Sequence, residues 1–289
     1  MKIRKRLVSA MIISSLFVSI PFTASAKNIK KEQFDYVALG DSLAAGRTPY
    51  GIDQDGYVDI LASRFEQSQY NVKLDNYGIS GYRTTHIMNE LFNPLNPKYT
   101  SLRESISKAE LVTIDIGAND LLANLSDIQK NPSKAQPLLE GIGKNLFAIL
   151  SEIDKINPDT KVYVMGYNNP FPNSPEEQQT ALMPLLGAFN QTIQDVASMN
   201  GDIFVPSANV IEKHEKKYIP NPADIHLDIE GYQVVAKEFW KAIQKNKLGV
   251  LSGYTFRGAG KIGFQVLRET FRFALSGDSN AFAEVWSPL

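Results

Sequence analysis

Apolar runs of strand length alternate along the chain with segments of helical periodicity. This alternation predicts an α/β fold, a parallel sheet covered by helices on both faces and so three layers in all. Two further observations agree. The runs at residues 36–39 (YVAL) and 111–116 (LVTIDI) are mostly apolar along their length, as strands buried on both faces must be. Each ends in a turn of small residues, Gly40-Asp41-Ser42 and Gly117-Ala118-Asn119. With 289 residues, 43% of them hydrophobic, the chain can bury a sizeable core.

The N-terminus comes first. Lys2, Arg4, Lys5 and Arg6 precede an apolar run over residues 7–22, which leads to Ala24-Ser25-Ala26. Basic, apolar and small residues in that order predict a secretory signal peptide cleaved after Ala26, and hence a secreted, extracellular protein. The run holds Ser9, Ser14, Ser15 and Ser19 and is short for a membrane span.

A polar lead-in over residues 27–33 is followed by the first strand at 36–39. Residues 57–65 space Val58, Leu61, Ala62 and Phe65 as one face of a helix. Residues 71–77 form the second strand, closed by Gly78-Ile79-Ser80-Gly81, and a helix covers 84–91. Pro94 and Pro97 make 93–99 a loop. The third strand, 111–116, precedes a long helix over 137–156 and a fourth strand at 161–166. Residues 167–175, rich in Asn and Pro, form a surface loop. Residues 176–199 are helical in pattern, and Pro184 should kink or restart that helix. A short strand at 203–205, a charged surface helix at 210–217 and an amphipathic helix at 230–244 complete the pattern. The expected organisation is a signal peptide (1–26), one domain (27–246) and a C-terminal extension (247–289).

Composition narrows the chemistry. Loss of the signal peptide would leave 26 Lys and Arg against 31 Asp and Glu, a net charge near −5. That surface argues against nucleic acid as a partner. There are no cysteines, which excludes disulfides, thiolate metal sites and a cysteine nucleophile. Three histidines, His86, His214 and His226, limit the choice of a general base. His86 lies in a patterned helix and reads as structural or substrate-lining, while His214 sits in the solvated sequence EKHEKK.

Ser42 lies in the stretch Gly40 to Gly46, GDSLAAG, just past the first strand. A serine there can reach a substrate, with backbone N–H groups near the place where negative charge would develop. Parallel sheets bind ligands outside the carboxyl ends of their strands. The turns after the first three strands, which hold Ser42, Gly81 and Asn119, should therefore lie together. Singly, Gly81 reads equally as a turn glycine and Asn119 as the cap of a helix beginning near Leu121.

Together, GDSLAAG at 40–46, ISG at 79–81, GAND at 117–120 and IHLDIEGY at 225–232 resemble, in order, the sequence blocks of the SGNH hydrolases, also called the GDSL esterase/lipase family. The resemblance spans residues 34 to about 245. It implies a three-layer αβα sandwich with a central parallel, flavodoxin-like sheet. It also implies Ser42 as nucleophile and His226 as base, with an oxyanion hole made by the N–H groups of Ser42 and Gly81 and the amide of Asn119. The implied activity is that of a serine esterase or lipase on small-molecule or lipid esters, of short acyl or lysophospholipid-like type, with no metal and no cofactor.

The residue types suit that chemistry. Serine needs a hydrogen-bonded base, which neutral imidazole supplies near neutral pH. Gly81 is expected to let the backbone approach closely without a Cβ, and Asn119 offers an uncharged donor. The orienting acid is open. The family pattern places an aspartate three residues before the histidine, where this chain has Ala223, and Asp224 stands two before. Asp224 through a shifted loop, a backbone carbonyl, or Asp228 or another carboxylate could hold the imidazole, and Asp224 is preferred.

Other motifs carry less. Asp41 is expected to shape its turn, and Asp115 with Asp120 makes a poor metal site without a nearby histidine. GAGKIG at 258–263 lacks the first glycine and the final Ser/Thr of a phosphate loop. GxSxG is absent, so an α/β-hydrolase elbow is not supported. In the extension, Phe264, Leu267, Phe271, Ala274 and Leu275 form an apolar stripe over 264–275. That helix either packs on the domain or a partner subunit, or lies on a membrane or cell-envelope surface. A carbohydrate O-deacetylase, a thioesterase and a non-catalytic envelope-binding protein are the alternative functions. Substrate choice is assigned to the loops at 48–56, 93–100 and 167–175.

Overall fold

The computed structural model describes residues 31–251. The predicted signal peptide and the predicted helix at 264–275 lie outside the described residues.

The elements run β1 (Glu32–Gly40), α1 (Tyr57–Gln67), β2 (Tyr70–Gly78), α2 (Thr84–Phe92), α3 (Tyr99–Lys108), β3 (Leu111–Asp115), α4 (Ala118–Leu122), α5 (Leu125–Lys130), α6 (Ala135–Ile156), β4 (Lys161–Met165), α7 (Glu176–Asn200), β5 (Ile203–Val205), α8 (Ala208–Ile211), α9 (Glu215–Tyr218) and α10 (Ile229–Leu251). The five strands form one sheet in the order β2-β1-β3-β4-β5, all parallel. This is the flavodoxin-like order, whose switch point lies between β1 and β3. α1 packs against α10, while α2, α3 and α7 gather around α6. The expected three-layer sandwich is the one observed.

Register explains where the site must be. Gly40 pairs with Gly78 of β2 and with Asp115 of β3, so β1 and its two neighbours end level with one another. The three turns that follow them are therefore neighbours. Tyr36, Val37, Ala38 and Leu39 of β1 and the whole of β3 are buried, which makes this end of the sheet a rigid base.

Several elements differ from the expectation for local physical reasons. β1 begins four residues early, because the polar Glu32, Gln33 and Asp35 break the apolar signal around the buried Phe34. α3 buries only Leu102 and Ile106, too few positions for periodicity to mark it. Residues 210–217 are not one helix but α8, a 3-10 turn and α9. α7 passes through Pro184 as a single element. α10 continues past residue 246, the expected domain boundary, to Leu251.

Candidate active site

β1 ends at Gly40 and the chain turns sharply through Ser42. The turn is tied down from beneath. Asp41 donates its N–H to the Asp115 carbonyl at 3.0 Å, and its Oδ1 accepts the Leu43 N–H at 3.0 Å. Asp115 Oδ2 accepts the Ala44 N–H at 3.2 Å, and Asp115 Oδ1 accepts the Tyr57 hydroxyl at 2.5 Å. Gly40 makes room for that carboxyl, since a Cβ there would stand 2.5 Å from Asp115 Oδ1. Asp41 Oδ2 accepts the Tyr167 hydroxyl at 2.8 Å.

Burial pushes both carboxyls above their usual range. Asp115 is raised well above it, first because it is fully buried and then because the charge of Asp41 is close by.

His226 reaches this turn from the loop before α10. Its Nε2 stands 2.8 Å from Ser42 Oγ, and its Nδ1 stands 2.7 Å from Asp224 Oδ1. With Nδ1 protonated toward Asp224, the Nε2 lone pair is left to accept the Ser42 proton. The loop is compact because Asn221 accepts two N–H groups, of Ala223 on Oδ1 at 3.0 Å and of Asp224 on its carbonyl at 3.1 Å. Asn221 Nδ2 also donates to the Pro49 carbonyl at 2.9 Å. Asp228, the other aspartate considered, instead accepts the Gly231 N–H at 2.7 Å in the first turn of α10.

Three donors border the same groove as Ser42 and His226. Neither the Ser42 nor the Gly81 N–H has a protein acceptor among the described residues. Asn119 Nδ2 gives one hydrogen to the Tyr82 carbonyl at 2.9 Å, which fixes the amide and leaves its second hydrogen available. Gly81 is set by its backbone angle. A Cβ would meet nothing within 4 Å, but φ is +83° in a turn closed by the Tyr82 N–H on the Ile79 carbonyl. Asn119 lies inside α4 rather than capping a later helix.

Other residues hold this frame. Asp120 accepts the Thr84 N–H at 2.9 Å and the Thr84 hydroxyl at 2.8 Å, so the first turn of α2 is bound to α4. Asn145 of α6 donates to the same hydroxyl at 2.8 Å. Asp115 and Asp120 therefore serve hydrogen bonds in the frame. Tyr57, Thr84, Asn145 and Tyr167 carried no signal in the sequence, because each acts through a partner far away in the chain. His86 Nδ1 accepts the Arg83 N–H at 2.9 Å and its ring stacks on Tyr82, a structural place at the start of α2. His214 is exposed and meets the Tyr218 ring edge-on.

The arrangement can deliver a serine oxygen to a carbonyl, take up its proton and hold the resulting negative charge. Comparison with known proteins agrees with that capacity. The model of the GDSL-like Lipase/Acylhydrolase family matches residues 38–234. The chain is 26% identical over 211 residues to the spore germination lipase LipC of Bacillus licheniformis, covering 70% of this chain and 93% of that one. It is 25% identical over 231 residues to the uncharacterized protein YpmR of Bacillus subtilis, covering 75% and 84%. Among solved structures, the lipase Lip_vut3 from a goat rumen metagenome superposes with a TM-score of 0.62 at 24% identity, covering 73% of this chain and 97% of that one. A catalytic mutant of the acetylxylan esterase Axe2 of Geobacillus stearothermophilus gives 0.54 at 17%, covering 73% and 94%.

Proposed function

Because the chain belongs to the GDSL-like lipase/acylhydrolase family and is an ester-hydrolysing enzyme, we propose that it is a secreted serine esterase working through an acyl-enzyme on Ser42. Ser42 Oγ attacks the acyl carbonyl as its proton passes to His226 Nε2, and Asp224 holds the imidazole in the tautomer that can receive it. The N–H groups of Ser42 and Gly81 and the Asn119 amide stabilise the oxyanion of the tetrahedral intermediate. As that intermediate collapses, the C–O bond to the alcohol breaks and His226 returns the proton to the departing oxygen. Water then attacks the acyl-enzyme, giving its proton to His226, and the acid and free Ser42 are released.

The observation that carries this reading is the relay from Asp224 through His226 to Ser42, at 2.7 and 2.8 Å. Secretion rests on the N-terminal basic, apolar and small-residue segments. The test is covalent labelling. An alkyl fluorophosphonate probe should modify the purified enzyme at Ser42 and abolish turnover. Ser42→Ala and His226→Ala should stay folded and lose ester hydrolysis by several orders of magnitude. Near-native turnover in either variant would refute the mechanism.

A further inference from the structure

Tyr82 follows Gly81 and ties two of the three oxyanion donors with its own backbone. Its N–H donates to the Ile79 carbonyl at 3.0 Å, closing the turn that presents the Gly81 N–H, and its carbonyl accepts Asn119 Nδ2 at 2.9 Å. Taking Ser42 as the nucleophile and those donors as its oxyanion hole, as above, we infer that Tyr82 is a positioning residue for the hole. Glu90 and Lys98 hold it in place through the hydroxyl at the far end of its ring.

The side chain is held on its face and at its tip. The His86 ring stacks on it with centroids 4.8 Å apart, and His86 is itself fixed by the Arg83 N–H on its Nδ1 at 2.9 Å. The Tyr82 hydroxyl donates to Glu90 Oε1 at 2.7 Å and accepts from Lys98 Nζ at 3.1 Å. Lys98 Nζ also donates to Glu90 Oε1 at 2.8 Å, which closes a triangle of hydrogen bonds, each with a charged partner. A ring fixed at both ends of its long axis, by the backbone turn and by this triangle, cannot rock without breaking one of them. The carbonyl that aims Asn119 is held with it.

Stability alone does not account for this cluster. Glu90 is buried, and its Oε2 has no hydrogen-bond partner among the described residues, which is costly for a carboxylate. Apolar side chains of similar volume would fill the same space without that cost. What the charged triangle supplies is a defined position for the hydroxyl. Position is what an oxyanion hole needs, because a displacement of about 1 Å can cost about 10²-fold in rate. Tyr82 lines neither the groove nor the apolar cavity beside Ser42, so it acts on the reaction through Gly81 and Asn119 and not through contact with substrate.

The test uses the purified enzyme and a small soluble acetate ester. Tyr82→Phe keeps the ring and removes the hydroxyl; it should stay folded, lower kcat about tenfold and leave KM within about twofold. An alkyl trifluoromethyl ketone forms a tetrahedral adduct as Ser42 Oγ adds to its carbonyl carbon and the proton passes to His226. Its binding should weaken by the same factor, because the adduct uses the hole and the bound ester does not. Glu90→Leu should lose kcat in the same way, and Glu90→Gln, which keeps an acceptor for the hydroxyl, should recover most of it. In an Asn119→Ala background Tyr82→Phe should cost no more than about threefold, since one of the two donors through which it acts is gone. Parent-like kcat in folded Tyr82→Phe, a loss confined to KM, or an undiminished cost in the Asn119→Ala background would overturn the assignment. If Tyr82→Phe does not fold, the Glu90 pair decides by the same readings. If Ser42→Ala is inert while folded Tyr82→Phe is parent-like, only this assignment falls; turnover by Ser42→Ala would remove the reading of the site on which it rests.

Discussion

Asp224 Oδ1 stands 2.7 Å from His226 Nδ1, and the same oxygen accepts the backbone N–H of His226 at 2.8 Å. One carboxylate oxygen thus fixes both the ring and the residue that bears it. A side chain two residues before the histidine can do this because the Asn221 turn folds the loop back on itself. Ala223, at the position three before, points no functional group at the ring.

Asp224→Asn should keep the fold and lower kcat by about 10³–10⁴, because an amide can stabilise the wrong imidazole tautomer and carries no charge for the imidazolium. Single-turnover rates with a soluble ester would show it. Rates within a few-fold of the parent would mean that Ser42 and His226 act as a dyad.

Asn119→Ala should cost about 10²–10³ in kcat with KM changed little, since the proposed mechanism uses its free amide hydrogen where charge develops. The Tyr82 carbonyl would lose its donor as well, so a thermal melt should accompany the kinetics. A loss confined to KM would place Asn119 in ground-state binding instead.

Asp115→Ala should destabilise the enzyme by about 2–4 kcal/mol in urea, because the Tyr57 hydroxyl and the Ala44 N–H lose their buried acceptor. Asp115→Asn keeps an acceptor and should cost less. Equal midpoints for Asp115→Ala and the parent enzyme would show that the serine turn does not depend on this carboxyl.

Asp202 gives a pH signature. Burial raises its carboxyl to about 7, with Asp154 adding in the same direction against a hydrogen bond from Asn200. The folded chain therefore holds a proton there that the unfolded chain releases near the ordinary value of about 4. The unfolded state binds fewer protons in this interval, so stability falls as pH rises from about 4 to about 7 and levels off above. Asp202→Asn should flatten that slope, raising Tm relative to the parent at pH 8 more than at pH 5. The same Tm difference at both pH values would contradict the shift.

The parts of this protein that a sequence can determine are those set by neighbours in the chain. Continuous apolar runs marked β1 and β3, helical spacing marked α1, α6 and α10, and small residues marked the turns after the strands. Four short blocks resembling one family marked Ser42, Gly81, Asn119 and His226, the residues of the proposed mechanism, in chain order. Parallel pairing then required the three strand-end turns to be adjacent, because each βα unit returns its strand in the same direction.

Tertiary structure decided what depends on distant partners or on backbone angles. α3 is held by two buried residues against its surroundings, and Gly81 sits at a positive φ that no spacing in the sequence announces. Asp224 meets His226 through the fold of one loop, which spacing alone left open. Tyr57 and Tyr167 come from elsewhere in the chain to hold the carboxyls beneath Ser42. The apolar cavity beside Ser42 exists only where residues of α4, α7 and the loop after β4 come together. Hydrogen bonds and cavities between remote elements leave no periodic trace in a sequence, because their geometry is fixed only when the sheet and both helical layers have closed on one another.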